Sequence, residues 1–118
     1  MARNVADSRS SDSYEQVPPL EFDPKIPACD AWDKLKEVLR SRRRCEITQS
    51  DDTSLKAVEK TAILRFKDDL EFELELDKIQ MRSASRVGSY DLGANKHRLE
   101  EIRKAWRAKI DQLHSPEL

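Results

Sequence analysis

Between Leu70 and Asp77 apolar and acidic residues alternate without a break, with Leu70, Phe72, Leu74 and Leu76 set against Glu71, Glu73, Glu75 and Asp77. A period of two belongs to an extended strand whose successive side chains point to opposite faces, so one face must be covered and the other wet. Ile79, Met81, Ser83 and Ser85 continue the alternation beyond Asp77-Lys78. A two-residue hairpin loop at Asp77-Lys78 sets Leu76 opposite Ile79, Leu74 opposite Met81, and Phe72 opposite Ser83. The same register pairs Glu73 with Arg82 and Asp69 with Arg86, two cross-strand ion pairs on the wet face. A slip of one residue would turn the apolar row toward water.

The dry face needs cover, and two amphipathic segments supply it. Ala31, Trp32, Leu35, Val38 and Leu39 fall on one helical face, with Asp30 placed to cap a helix over 31–41. From Asn95 onward, Leu99, Ile102, Trp106, Ile110 and Leu113 form a second stripe. Cys45 to Thr48 and the stretch from Ser54 to Phe66, separated by a polar turn, read as two further strands. The expected fold is therefore α+β: a two-layer sandwich of order α-β-β-β-β-α, its four-stranded antiparallel sheet covered by two helices on one face. A length of 118 residues with 37% hydrophobic content allows one core and no second. Pro18, Pro19, Pro24 and Pro27 break up any early helix, so residues 1–19 are expected to be a flexible acidic head and residues 20–118 a single α+β domain. Residues 1–30 carry three cations against six acids, whereas 94–113 carry six against three, so an acidic head accompanies a basic last helix.

Several classes of function are disfavoured. No stretch has the roughly 20 apolar residues of a membrane span, and the amino terminus lacks the basic-then-apolar pattern of a secretory signal. Cys29 and Cys45 have no metal-type spacing and read as reduced thiols, which places a soluble protein in the cytoplasm. No glycine-rich phosphate loop occurs, and no cofactor or metal is expected. A net charge of −1 gives no overall drive toward nucleic acid or acidic membranes. Arg40, Arg42, Arg43 and Arg44 suit the carboxyl end of the first helix and lack the interleaved aromatics of a single-strand binder, so nucleic acid is not the expected partner.

Functional information concentrates in Arg82–Arg98. Asn95 is expected to cap the last helix, leaving Lys96, His97 and Arg98 in a first turn that already bears partial positive charge. Something negative should compensate, either an internal acid such as Asp68, Asp69 or Asp91 or a bound anion. Strand parity sends Ser83 and Ser85 inward and Arg82 and Arg86 outward. The candidate binding residues are Arg82, Ser83, Ser85, Arg86, Ser89, Tyr90, Asp91, Asn95, Lys96, His97 and Arg98, with Asp69 and Glu73 as structural charge partners. The expected activity is that of a non-enzymatic binding or assembly module docking an acidic partner or small anion through the charged hairpin and the Gly88–Arg98 loop. The alternative is a small hydrolase or metal-assisted enzyme built on Asp68, Asp69, Asp91 and His97.

The segment from about Leu20 to Trp106 resembles the domain of unknown function 1499 family. The likeness rests on Arg65-Phe66, Asp68-Asp69-Leu70-Glu71-Phe72, Arg82-Ser83-Ala84-Ser85-Arg86-Val87-Gly88, Asp91-Leu92-Gly93, Asn95 and Arg98. The resemblance marks Asp69, Glu71, Arg82, Ser83, Ser85, Arg86, Asp91, Asn95 and Arg98 as signature positions. It implies no reaction, and it implies that many similar proteins carry export or membrane segments.

Overall fold

The computed structural model describes residues 5–87 and 93–114. Its elements are β1 (Val5–Asp7), β2 (Leu20–Glu21), α1 (Ala28–Ser41), β3 (Cys45–Ser50), β4 (Ser54–Lys60), β5 (Lys67–Leu74), β6 (Lys78–Ser85) and α2 (Ala94–His114). The fold is α+β, and its open antiparallel sheet has six strands where four were expected. β3 to β6 form a meander in which each strand pairs with the next. The two additional strands come from the amino-terminal segment. β1 pairs Val5–Asp7 with Ala84, Ser83 and Arg82, and β2 pairs Leu20 with Ile79 farther along the same edge of β6. An open β6 would present a row of unmatched backbone groups, and these two short strands close it.

The amino-terminal segment thus contributes a strand to the sheet and two side chains to the core. Ala6 and Val17 are buried, and the Ser8 hydroxyl accepts from Met81 N–H at 2.8 Å while donating to Gln80 Oε1 at 2.7 Å. Strands three and two residues long leave no periodicity to read in the sequence. The basic last helix does hold this acidic segment, but through backbone carbonyls. Arg103 donates to Pro18 and Pro19 at 2.5 and 2.9 Å, and Arg107 donates to Glu21 at 2.8 Å.

α1 begins three residues earlier than expected. Pro27 occupies the cap position without a side-chain hydrogen bond, and Asp30 lies inside the first turn, where its charge suits the helix dipole. The expected face is the buried one: Ala31, Trp32, Leu35, Val38 and Leu39. In β4 the strand stops at Lys60, and residues 61–66 form a turn closed by Thr61 N–H to Phe66 O at 2.8 Å. β3 runs on to Ser50 past a register shift between Ile47 and Gln49. One core joins the two helices to the inward row of the sheet, where Leu55 faces Phe72 and Phe72 faces Met81 across neighbouring strands.

The β5–β6 hairpin corrects the expected register by two residues. Leu74 faces Ile79, Phe72 faces Met81, Leu70 faces Ser83 and Glu71 faces Arg82. Glu75 N–H donates to Lys78 O at 2.8 Å, which moves the turn back to Leu76-Asp77. A shift of two preserves which face each side chain occupies, so alternation alone cannot tell the registers apart. Leu76 consequently sits in the turn at 91% exposure rather than in the core. Leu76→Ser is expected to change stability by less than about 0.5 kcal/mol, whereas Leu74→Ser, which empties a position packed against the core, should lower the urea midpoint clearly.

Candidate functional site

The inward row of the sheet turns polar at one end. Register places Glu59 beside Asp68 and Asp68 beside Ser85, one step beyond Ala57, Leu70 and Ser83. These positions keep the parity of Leu55, Phe72 and Met81, so their side chains enter the core side by geometry and require partners there. The first turns of α2 supply them.

The helix starts at Ala94, and the Gly93 carbonyl accepts from His97 N–H at 2.9 Å. Asn95 is therefore inside the first turn and does not cap it. Gly93 has φ of 84°, a left-handed conformation that suits a residue without Cβ just ahead of a helix. Asn95 is fully buried; its Oδ1 accepts from Ser83 Oγ at 2.5 Å and from Arg98 at 2.8 Å, and its Nδ2 donates to Ser85 Oγ at 3.0 Å.

Arg98 is the hub. Its guanidinium donates to Glu59 Oε2 at 2.8 Å, Asp68 Oδ2 at 2.6 Å and Ser83 Oγ at 3.1 Å. Arg42, from the α1–β3 connection, meets Glu59 at 2.6 and 2.9 Å and reaches Glu101 at 3.3 Å. Two guanidinium groups thus face two carboxylates, with Arg98, Glu59 and Asp68 all buried. Burial pushes the Glu59 carboxyl up, but hydrogen bonds from Arg42 and Arg98 outweigh it and hold the group below the usual carboxylate range. Arg98, in the first turns of α2, is thus compensated by acids of this chain.

On the opposite face, Arg86 forks onto Asp69 at 2.9 and 2.8 Å, and this pairing keeps the Asp69 carboxyl low. The contact is diagonal, because Asp69 directly faces Ala84. Arg82 meets Asp7 at 3.3 Å and Glu71 at 3.5 Å, and Glu73 meets Arg9, so the expected Glu73–Arg82 pair is not formed. Lys96 reaches the Ser13 carbonyl at 3.3 Å, and the 77% exposed His97 side chain lies 3.2 Å from Glu101. Ser89, Tyr90 and Asp91 lie outside the described residues.

The residues expected to act together are therefore divided. Ser83, Ser85, Asn95 and Arg98 belong to an internal network, Arg82 and Arg86 to the outer face, and His97 to solvent. The same division separates Asp68, which faces inward, from its neighbour Asp69, which faces outward. Among the described residues no group of three His, Cys, Asp or Glu side chains could hold a metal ion. Burial and the Glu59 carboxylate push the Cys45 thiol up to about 11, which leaves it protonated and a poor nucleophile near neutral pH.

Sequence reasoning passed over a basic cleft of about 540 Å³ at the same end of the sheet as the buried network. It is lined by Arg43, Arg44, Lys60, Arg65, Lys67 and Arg86, with Glu46 as its carboxylate. Among the described residues only Arg86 of these six cations forms an ion pair. The sequence signal was the placement of Lys60 and Lys67 at facing ends of β4 and β5.

No helix among the described residues is long and apolar enough to cross a membrane. No curated protein and no solved structure matches the chain. A family model described as "Protein of unknown function (DUF1499)" does match, over residues 2–106. That span takes in the strand-edge segment, the internal network and α2 as far as Trp106, and the chain belongs to this family.

Proposed function

We propose that the protein is a non-enzymatic binding or assembly module that docks an acidic partner or small anion at the basic end of its outer sheet face. One observation carries the reading: five cations, Arg43, Arg44, Lys60, Arg65 and Lys67, gather around an open cleft that holds one carboxylate, Glu46, and none of the five forms an ion pair among the described residues. Unpaired like charges repel, so holding them together favours an anion that neutralises several at once. Arg86 is the hairpin's contribution, while Asn95 and Arg98 stabilise the fold beneath. A net charge of −1 does not oppose this, because charge is segregated along the strands. Asp51, Asp52, Glu75 and Asp77 lie in the turns at the far end.

Lys60→Glu/Lys67→Glu tests the reading with poly-glutamate as probe, measured by fluorescence anisotropy at rising salt. The wild-type chain is expected to bind with an affinity that falls steeply with ionic strength. The variant should bind at least about tenfold more weakly, since each cation contributes on the order of 1 kcal/mol beside an anionic surface. Equal binding by an intact variant, or no binding of poly-glutamate by the wild type at low salt, overturns the proposal.

A further inference from the structure

The turn between β4 and β5 places Ile63 at 88%, Leu64 at 67% and Phe66 at 44% exposure, three large apolar side chains within four positions. Single exposed apolar residues are ordinary on soluble proteins, but a contiguous group at a protruding tip marks a contact surface. The tip is a built feature. Thr61 bonds Phe66 twice, by N–H to carbonyl at 2.8 Å and by hydroxyl from Phe66 N–H at 2.9 Å. Arg65 is held at φ of 60°, a left-handed conformation unfavourable for a side chain with Cβ, although its neighbours Leu64 and Phe66 gain no burial from it.

Chemistry around the tip selects its occupant. No acidic residue occurs from Lys60 to Lys67, and Lys60, Arg65 and Lys67 flank the apolar group, with Arg43 and Arg44 behind them in the adjoining cleft. An apolar point ringed by cations is complementary to a surface that is apolar within and anionic at its edge. We infer that the β4–β5 tip docks the protein on an anionic lipid bilayer, with Ile63, Leu64 and Phe66 entering the headgroup boundary while the surrounding cations meet lipid phosphates and carboxylates. This deepens the binding reading above and rests on it. The chain's electrostatic polarity supports the geometry, since the turns bearing Asp51, Asp52, Glu75 and Asp77 are at the opposite end of the antiparallel strands and turn away from the bilayer when the tip meets it. A nucleic acid would use the cations and leave the aliphatic side chains in water.

The test is flotation of the full chain with phosphatidylcholine vesicles, with and without phosphatidylserine. Ile63→Ser/Leu64→Ser and Lys60→Glu/Lys67→Glu are compared with wild type, with poly-glutamate binding measured in parallel and thermal melts confirming that each variant folds. Wild type is expected to float with phosphatidylserine vesicles and to stay behind with neutral ones. The tip variant should lose at least about tenfold in vesicle binding, because two buried aliphatic side chains are removed from the boundary, while keeping its affinity for poly-glutamate. The charge variant should lose both. Failure of wild type to float, or unchanged flotation of the tip variant, overturns the bilayer inference; retained poly-glutamate binding would then leave the acidic-ligand reading standing, and its absence would remove both. A tip variant that loses poly-glutamate and vesicles alike points to an acidic protein as the partner and also overturns it.

Discussion

Arg98→Met is expected to destabilise the protein by about 3–5 kcal/mol, the cost of removing one partner from a buried charge network. For a domain near this size each kcal/mol lowers the melting temperature by roughly 4–8 °C, so the variant should melt at least 12 °C or so below wild type. Asp68 has Arg98 as its counter-charge at 2.6 Å, and Glu59 is shared between Arg98 and Arg42. Methionine fills much of the arginine's volume, so the loss reports charge and hydrogen bonding more than an empty cavity. Arg86→Ala, which breaks a pair open to water, should cause a far smaller change.

The pH dependence of the Arg98 variant has a definite sign. The folded wild type holds Glu59 below its unfolded value near 4.5, so its stabilisation is present above that pH and is lost as pH falls through the lower folded value. Arg98→Met removes one of the two guanidinium groups responsible, burial then weighs more, and the folded value rises. The wild type should therefore lose stability on acidification more steeply than the variant, and the gap between their urea midpoints should narrow as pH falls below 4.5. A constant gap from neutral pH downward would show that Glu59 does not carry the coupling.

The buried network was legible in the sequence once charged residues were read by the apolar pattern they interrupt. Arg98 heads the series Arg98, Ile102, Trp106 and Ile110 at four-residue spacing, which puts it on the buried stripe of α2. Glu59 follows Leu55 and Ala57 at strand spacing, and Asp68 precedes Leu70 and Phe72 in the same way. Their interior placement follows from period alone; that all of them meet at one end follows from register, which the sequence does not state. Parity predicted that Ser83 and Ser85 part from Arg82 and Arg86, and parity survives a shift of two, so the divided site was readable while the partner of Glu73 was not. The edge strands were illegible for a different reason. Val5–Asp7 and Leu20–Glu21 are strands because β6 has an unfilled edge, a tertiary cause without a local signature. The tip was missed because β-branched and aromatic content from Ser54 to Phe66 was credited to one strand, when its last apolar residues belong to a turn that leaves them in water.

Trp106→Ala should be the other severe substitution, at about 3–5 kcal/mol, because truncating a fully buried indole leaves a cavity that several elements line and cannot collapse into. Trp106 from α2 donates Nε1–H to Ala31 O of α1 at 3.0 Å, meets Phe22 edge-on with ring centroids 6.3 Å apart, and is covered by the Arg107 guanidinium 4.8 Å from its centroid. The residue thus ties together the two helices and the segment that follows β2. Trp106→Phe keeps most of the apolar bulk but leaves the buried Ala31 carbonyl without this donor, for an expected loss of about 1–3 kcal/mol. Measured by urea unfolding, the two variants separate packing from hydrogen bonding at one position. If alanine and phenylalanine cost the same, the indole contributes through its hydrogen bond alone; if phenylalanine is neutral, the tie between α2 and α1 is apolar contact and the Ala31 carbonyl finds another donor.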